Sequence, residues 1–415
     1  MKISGRHLLV LIAMCGLLAS AVGLVTNVSG LFFSPVADEF GVARGSASLM
    51  LTISNLSFAV GGLICPRLMT ERTLKPLVIG ATAILAAGTA ALSVCPGIFP
   101  MYALCVVRGL AAGAIGFVFA TSVLNRWFIA NIGLATSIAM GCSGIAGAVF
   151  SPLINGVIAS SGWRMGFVAM AVLTVLLNLP AILFLPSLDP ATKGLKPFGA
   201  DDASQGTSAD AAADAAPASE AAPEPINPLV YAAVMGFALL AAALTALPQH
   251  FPGMAETFVA DAAVGATMLS VCMVANTAGK VVLGILVDRF GTRVSLLLYT
   301  CLVGIALVLL LFVPAPAAML VAAGLFGTSY GMAAVGNTMI TRDAFGLANY
   351  GKTYPVMSLV GNIGNAVFSS VVGYMYDFTG GYTATLVMFG VMTVVLAGLV
   401  VLVYARRAQA APQQA

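Results

Sequence analysis

Twelve apolar runs follow one another along this chain, and each is near the length that crosses a lipid bilayer. They cover residues 7–33, 46–66, 76–95, 98–124, 133–159, 164–185, 228–250, 263–287, 294–313, 315–341, 352–376 and 381–405. An α-helix rises about 1.5 Å per residue, so about 20 residues match a hydrocarbon core of about 30 Å. Lipid offers no partner to backbone N–H and C=O groups, so each run must be helical. The sequence therefore predicts an all-α membrane protein of twelve transmembrane helices.

The composition excludes a soluble domain. Apolar residues make up 60% of the chain and charged residues only 8%, whereas about a quarter of the residues in soluble domains are charged. The seven cysteines lie in or at the edge of apolar runs and form no C-x-x-C pair. We interpret them as small buried side chains and expect no metal site, disulfide framework or cofactor. The lipid bilayer is the expected partner, and a nucleic acid is not.

The basic residues indicate how the helices are oriented. Fourteen of the 18 Lys and Arg residues fall on the side that the two termini share. Only Arg44 and Arg164 fall on the other side, while Arg108 and Lys280 lie inside apolar runs. Positively charged loops stay in the cytoplasm. We therefore expect a multi-pass protein of the cytoplasmic (inner) membrane with both termini in the cytoplasm.

The runs fall into two groups of six. Residues 1–186 and 228–405 are the two predicted six-helix halves, and residues 406–415 are a predicted cytoplasmic tail. Residues 187–227 are rich in Ala, Pro, Asp and Ser and are predicted to be a disordered cytoplasmic linker. The fifth and eleventh runs share a G-x-x-G pattern and a nearby A-V-F-S, which is a weak repeat. Two related halves with a substrate site between them are a common transporter plan.

One predicted turn carries a recognisable motif. The segment GILVDRFGTR matches the pattern G-x-L-x-D-R-x-G-x-R through Gly284, Asp288, Arg289, Gly291 and Arg293. It resembles the cytoplasmic-turn signature of the major facilitator superfamily. This resemblance implies the major facilitator fold. It also implies that Gly284 allows close helix contact, that Asp288 caps or pairs across the turn, and that the arginines anchor the cytoplasmic face.

Other motifs resemble one branch of that superfamily. Residues 125–128 read NRWF, residues 162–164 read GWR, and residues 345–351 read FGLANYG. These motifs are similar to those of the monocarboxylate transporters and oxalate:formate antiporters. The resemblance covers nearly the whole chain apart from the linker, and it implies transport of a small organic anion.

Lys280 is the first candidate substrate-binding residue. A lysine near the middle of a spanning helix costs roughly 2.5–3.5 kcal/mol, so it should face a water-filled cavity or a partner. The resemblance places Lys280 where the branch has an arginine that binds the substrate carboxylate. It places Asn276 where proton-coupled members have an aspartate. The i, i+4 spacing puts both residues on one helix face, where a ligand would supply the counter-charge.

Ser358 stands where the oxalate-type members of the branch carry a second lysine. With Ser358 neutral, Lys280 is the single intramembrane cation of the second half, which favours a monoanion over a dianion. No Asp or Glu lies clearly in the middle of a run, so proton coupling through a carboxylate is in doubt. Exchange for a counter-anion, facilitated passage, and a proton carried by Lys280 or by the substrate stay open.

Three further polar residues inside runs are candidate substrate contacts. Arg108 begins the segment RGLAAG, which resembles the fourth-helix arginine motif of the superfamily. Asn27 and Tyr330 lie in the first and tenth runs. For each of the three, a hydrogen bond to backbone or to another helix is the alternative.

We therefore expect a secondary transporter of a small organic anion, with a monocarboxylate favoured, and not an enzyme. Gly346, Gly351, Lys352 and Thr353 match a phosphate-loop pattern. That match joins two runs and lacks the strand that such a loop needs, so no nucleotide binding is expected. Two alternatives are a major facilitator exporter of a hydrophobic or drug-like compound and, further off, a non-transporting membrane sensor.

Overall fold

The computed structural model of the chain describes residues 5–129, 132–184, 187–188, 190–193, 196–198, 226–259, 261–313 and 315–410. Almost all of them are helical, and the only β-type pairing within these ranges is a bridge between Phe128 and Phe198. Among the described residues, ten helical segments are long and apolar enough to cross a membrane. Two of these are 51 and 50 residues long. At 1.5 Å per residue, each would measure about 75 Å, which is more than twice the thickness of a hydrocarbon core.

Each of these two long segments is broken by one glycine. Gly162 has φ 81° and ψ 163°, and Gly291 has φ 76° and ψ 160°. Both pairs of angles lie outside the helical region, and a positive φ is readily adopted only by glycine. Ten segments thus become twelve spanning helices, which confirms the predicted all-α fold.

The helices, numbered in chain order, are α1 Gly5–Phe40, α2 Arg44–Leu68, α3 Leu74–Val94, α4 Ile98–Trp127, α5 132–161, α6 163–184, α7 Pro228–Val259, α8 262–290, α9 292–312, α10 Pro316–Gly346, α11 Lys352–Thr379 and α12 Thr383–Arg406. Within α1, residues Ala19–Asn27 form a π-helix, and within α10 residues Met332–Gly336 do the same. A π-helix widens the backbone by one residue per turn and is often found at functional sites.

The first compact unit consists of Met1–Phe32 and Ile53–Ala216. Its apolar core includes Met14, Phe119 and Trp127, all fully buried. These side chains come from α1 and α4, whose apolar faces meet inside the unit.

Small residues let helices of the first unit approach closely. A Cβ atom added to Gly113 of α4 would lie 2.1 Å from the carbonyl oxygen of Phe58 in α2. A Cβ added to Gly61 of α2 would lie 2.3 Å from the carbonyl oxygen of Leu110. Lipid tails are as apolar as the side chains, so the hydrophobic effect does not drive helices together in a membrane. Close van der Waals packing of this kind stabilises their contact instead.

The start of the predicted linker packs against the first unit. We call residues 187–188, 190–193 and 196–198 the strap. Phe198 and the end of α4 share two backbone hydrogen bonds of 2.9 Å, from Ile129 N to Phe198 O and from Phe198 N to Trp127 O. Trp127 Nε1 donates to the carbonyl oxygen of Ser187 at 3.2 Å, and the side chains of Leu188 and Phe198 are buried.

The strap lies at the start of the segment that is predicted to be a disordered linker, and its described residues pack on the first unit. Two isolated apolar side chains in a polar segment carry little signal in composition, although they are enough to dock a short stretch of chain. Residues 199–225 of the predicted linker and 411–415 of the predicted tail lie outside the described residues.

The second compact unit consists of Phe33–Thr52 and Pro217–Ala415. It thus contains the end of α1 and the first part of α2 together with α7 to α12. Its core includes the fully buried Phe237. A Cβ added to Gly327 of α10 would lie 2.5 Å from the carbonyl oxygen of Cys272 in α8, so these two helices are in close contact.

Candidate functional site

Lys280 lies in α8 of the second unit, half-buried. Its ammonium donates no hydrogen bond to any described residue and forms no ion pair with one. The backbone beside it is held firmly, because the Tyr299 hydroxyl of α9 donates to the carbonyl oxygen of Gly279 at 2.7 Å. A rigid helix therefore carries a cation without a counter-charge inside the membrane, where an unpaired charge is costly.

Asn276 lies one helical turn before Lys280 and is only 3% exposed. Its amide nitrogen donates to the sulfur of Met273 at 3.8 Å, and its Oδ1 has no hydrogen-bond partner. A Cβ added to Gly327 would lie 3.2 Å from the Asn276 backbone nitrogen, so Asn276 is close to α10. The predicted neighbour of Lys280 thus offers a buried acceptor that is still unpaired, a state that costs free energy until a donor arrives.

Tyr330 and Ser358 differ in what they bind. The Tyr330 hydroxyl of α10 donates to the carbonyl oxygen of Thr245 at 3.2 Å, and Thr245 Oγ1 accepts from Asn365 Nδ2 at 2.8 Å. Tyr330 therefore makes the interhelical bond given above as its alternative. Ser358 of α11 is half-buried and has no polar partner in the described part of the chain.

Arg108 of α4 is 3% exposed and lies in the first unit. Its Nη2 donates to the carbonyl oxygen of Val25 at 3.4 Å, while its Nε has no partner. Val25 belongs to the π-helical stretch Ala19–Asn27 of α1. The hydrogen bond to backbone that was given above as the alternative is present, but one long bond does not satisfy a buried guanidinium, which has five N–H donors.

Asn27 binds a neighbouring helix. It is 4% exposed, and its Nδ2 donates to the carbonyl oxygen of Ser143 in α5 at 3.0 Å. A Cβ added to Gly23 would lie 2.5 Å from the Cβ of Ala146, so α1 and α5 are in close contact here. The interhelical alternative describes Asn27 in this structure.

In the turn motif, the helix break lies at the backbone of Gly291, and the charged side chains of the motif point to the surface. Asp288, Arg289 and Arg293 are exposed. Asp288 makes no hydrogen bond or ion pair with any described residue, so the expected cap or pair across the turn is absent there. A Cβ added to Gly284 would meet nothing within 4 Å, so the expected close helix contact is also absent. The helix is broken at this turn by the backbone of Gly291, which has a positive φ.

A cavity of about 420 Å³ lies in the first unit among α2, α3 and α4. Its walls are apolar, with Ile64, Leu77, Ile84 and Val107 among them, and no candidate substrate-binding residue lines it. With only apolar walls it has no group that would orient a charged ligand, so it does not define the site.

Sequence reasoning missed the π-helical stretches, which read ASAVGLVTN and MAAVG. Both consist mostly of small and apolar residues, and no pattern in them distinguishes a π-helix from an α-helix. It also missed the two carboxylates that lie beside Arg44, those of Glu256 and Asp377, which are far from Arg44 in sequence.

The sequence model of one protein family matches most of the chain. It is described as the Major Facilitator Superfamily, and it matches residues 14–252 and 233–415. No curated protein matches the chain.

Several solved structures share the fold. The nucleoside transporter NupG has a TM-score of 0.71 at 14% identity, with 96% of this chain and 100% of that chain covered. A bacterial homologue of the human lysosomal transporter Spinster, in an inward-facing and occupied conformation, has a TM-score of 0.66 at 14% identity, with 98% and 96% covered. A D-xylose–proton symporter has a TM-score of 0.66 at 15% identity, with 95% and 96% covered. At such low identity, these likenesses establish the fold alone.

Proposed function

The chain belongs to the major facilitator superfamily, a family of multi-pass membrane transporters, and from this premise we propose that it is a secondary transporter of small organic anions. We further propose that it works in the cytoplasmic membrane with both termini in the cytoplasm. The excess of Lys and Arg on the side of the termini supports this orientation.

The observation that carries the anion proposal is the unpaired ammonium of Lys280. An ionised lysine in a spanning helix costs several kcal/mol unless water or an opposite charge compensates it. No described carboxylate lies within ion-pair distance of it. An anionic substrate would supply the missing charge when it binds. The Oδ1 of Asn276, one helical turn away, has no partner. It would accept a hydrogen bond from a hydroxyl or other N–H or O–H group of the substrate.

A monocarboxylate is the substrate class that we favour. The motifs at residues 125–128, 162–164 and 345–351 resemble the monocarboxylate transporter and oxalate:formate antiporter branch, in which the position of Lys280 binds a carboxylate. Ser358 is neutral where the oxalate-type members carry a second cation, so a dianion would lack part of its counter-charge. The nucleoside and D-xylose transporters share only the fold with this chain.

The coupling ion is proposed to be a counter-anion rather than a proton bound to a mid-span carboxylate. Asn276 stands where proton-coupled members of the branch have an aspartate. An amide cannot take up and release a proton in that way. Exchange of one anion for another needs no such carboxylate, because Lys280 can pair with either anion in turn.

The test is uptake of labelled formate, acetate, lactate and oxalate into proteoliposomes containing the purified protein. We expect saturable uptake of at least one monocarboxylate, loss of that uptake in Lys280→Ala, and partial retention in Lys280→Arg, which keeps the charge. Stimulation by an internal anion identifies exchange, and stimulation by an inward proton gradient identifies symport.

Lys352→Ala is the matched control. It removes one positive charge from an exposed position at the start of α11, so it should transport like the wild type. The anion proposal fails if no carboxylate is taken up, or if Lys280→Ala transports as well as Lys352→Ala. Uptake or export of an uncharged hydrophobic compound instead would favour the exporter alternative.

A further inference from the structure

Two of the cysteines lie at the same depth on neighbouring helices of the first unit. Cys15 of α1 is eight residues into the first apolar run, which begins at residue 7. Cys142 of α5 is nine residues into the fifth run, which begins at residue 133. Both helices are odd-numbered spans of one alternating series, so they cross the membrane in the same direction. At about 1.5 Å per residue, the two cysteines lie about 12 and about 14 Å from the same membrane face.

The backbones of α1 and α5 approach closely just beyond the two cysteines. A Cβ added to Gly23 would lie 2.5 Å from Ala146 Cβ and 3.0 Å from the carbonyl oxygen of Ser143. Gly23 is eight residues after Cys15, which is about two helical turns. Ala146 is four residues after Cys142, which is about one turn. Each cysteine is therefore on the face of its helix that meets the other helix.

The two thiols contact each other across this interface. The side chains of Cys15 and Cys142 are within hydrogen-bonding reach of one another. Both are half-buried, whereas Cys65 and Cys272 are buried and Cys301 is exposed. The sequence predicts only small buried side chains for the cysteines and no disulfide framework. It gives no sign of this pair, because the two residues are far apart in the chain.

This arrangement suits a disulfide bond. The Cα atoms of a bridged pair lie about 4.4–6.8 Å apart, and the bond closes without backbone movement only where the two side chains point towards each other. Helices that meet at a glycine bring their backbones close enough for such a bond. A disulfide is uncharged and has no hydrogen-bond donor, so its formation adds no unpaired polar group to the interior of the membrane.

We propose that Cys15 and Cys142 are a redox-sensitive dithiol, which a peroxide oxidises to a disulfide joining α1 to α5. With hydrogen peroxide, one thiol loses its proton and attacks an oxygen; an S–O bond forms, the O–O bond breaks, and the leaving hydroxide takes up the proton as water. The second sulfur then attacks the sulfenic acid. An S–S bond forms, the S–O bond breaks, and the hydroxide leaves with the second proton as water. Two thiols are thus oxidised by two electrons, and one peroxide is reduced to two waters.

The position of the pair favours a reversible bond over a permanent one. Disulfides within cells are usually transient and redox-sensing. A redox-sensing cysteine often lies beside a second thiol, which converts the sulfenic acid to a disulfide before it is oxidised further. Partial exposure of both sulfurs allows a small uncharged oxidant to reach them and a small thiol to reduce them again.

The disulfide would hold α1 on α5 where the helix changes its winding. Cys15 lies one turn before the π-helical stretch Ala19–Asn27. That stretch presents the carbonyl oxygen of Val25 to Arg108. A bond at Cys15 would limit movement of this stretch, and a cross-link that closes a long loop also restricts the unfolded chain. We therefore expect the oxidised protein to unfold at a higher temperature than the reduced protein.

Oxidation of the wild-type protein in proteoliposomes by hydrogen peroxide tests the pair. After remaining thiols are blocked with N-ethylmaleimide, digestion and mass spectrometry should find the Cys15 peptide joined to the Cys142 peptide with the loss of two hydrogen atoms. The linked peptide should come from protein that runs as a monomer on a non-reducing gel. Dithiothreitol should separate the two peptides.

The linked peptide should be lost completely in Cys15→Ser and in Cys142→Ser. Cys301→Ser is the matched control, because it removes an exposed thiol from α9 of the second unit, and it should form the linked peptide as the wild type does. Cys15→Ala and Cys142→Ala, which add no hydroxyl to the helix contact, give a second pair of variants with the same expected loss.

The unfolding temperature in detergent tests whether the bond holds the two helices together. Peroxide should raise it, and dithiothreitol should reverse the rise, in the wild type and in Cys301→Ser but not in the variants at positions 15 and 142. The dithiol is rejected if no linked peptide forms, if Cys301 joins to either cysteine as readily, or if oxidised and reduced protein unfold at the same temperature. Neither measurement needs a substrate, so the dithiol and the anion proposal can fail separately.

Discussion

The hydroxyl of Ser20 donates to Asn178 Oδ1 at 2.6 Å, and Asn178 Nδ2 donates in turn to Thr82 Oγ1 at 3.0 Å. All three side chains are buried. One amide thus joins α1, α6 and α3 within the first unit. Because the amide is buried, its removal leaves Thr82 Oγ1 without this donor and leaves the Ser20 hydroxyl with only the carbonyl oxygen of Leu17, 3.0 Å away.

Asn178→Leu, which keeps the approximate volume, should therefore destabilise the protein. Interhelical hydrogen bonds in membrane proteins contribute about 0.6 kcal/mol each on average. The loss of two should lower the free energy of unfolding by roughly 1 kcal/mol. Denaturant unfolding in detergent micelles measures it. Asn155→Leu is the control, because Asn155 of α5 is half-buried and makes no polar contact that the structure describes; an equal loss in both variants would contradict the prediction.

Two glycines of the same turn motif should respond in opposite ways to alanine. Gly291→Ala places a Cβ at φ 76° and ψ 160°, a backbone conformation that is essentially restricted to glycine, and should cost about 1–3 kcal/mol of unfolding free energy. The Cβ that Gly284→Ala adds would meet no atom within 4 Å. The substitution should be neutral or stabilising by up to about 1 kcal/mol, because alanine is the better helix former. Thermal unfolding of the two variants side by side tests this, and a larger loss at Gly284 would show that its role is in packing after all.

The fold was predictable because lipid leaves the backbone few choices. Apolar runs of spanning length had to be helices, and the glycine at 291 marked a break between two of them. The details around the candidate residues were not predictable to the same degree. The π-helical stretch that presents Val25 to Arg108 has an ordinary apolar sequence. The cap that Asp377 gives to Arg44 joins positions more than 300 residues apart, and nothing in the local sequence signals such a contact.

Phe198 should hold the strap in place. Its side chain is buried, and its ring lies 5.9 Å from the Phe128 ring and 5.8 Å from the His7 ring. Phe198→Ala removes these contacts. We expect the backbone amides of residue 198 and Ile129, which now donate to carbonyl oxygens, to exchange with deuterium much faster.

Hydrogen exchange followed by mass spectrometry measures this change. Phe99→Ala is the control, because Phe99 is 79% exposed and lies at the start of α4. Its exchange pattern at residues 127–129 should match that of the wild type. Unchanged protection in Phe198→Ala would mean that the backbone hydrogen bonds and Trp127 hold the strap without the ring.

Arg108 is expected to lower the stability of the protein, although it is a candidate for binding the anion. A buried guanidinium with one long hydrogen bond and an unpaired Nε pays a desolvation cost that its protein contacts do not offset. Replacing a buried ion pair with apolar residues of similar volume is often neutral or stabilising by about 1–4 kcal/mol, and among the described residues Arg108 has no opposite charge to lose in such a replacement. Arg108→Met should therefore raise the unfolding temperature in detergent.

The same substitution should weaken transport if Arg108 binds the anion, a role that rests on the proposed function. Loss of a hydrogen bond to a charged group costs about 1.5–3 kcal/mol, so the apparent affinity for the transported anion should fall by about tenfold or more. Arg108→Lys keeps the charge and should lie between the wild type and Arg108→Met. A variant that is more stable but transports with unchanged affinity would assign Arg108 to the contact between α4 and the π-helical stretch of α1, and Lys280 would then carry the anion proposal by itself.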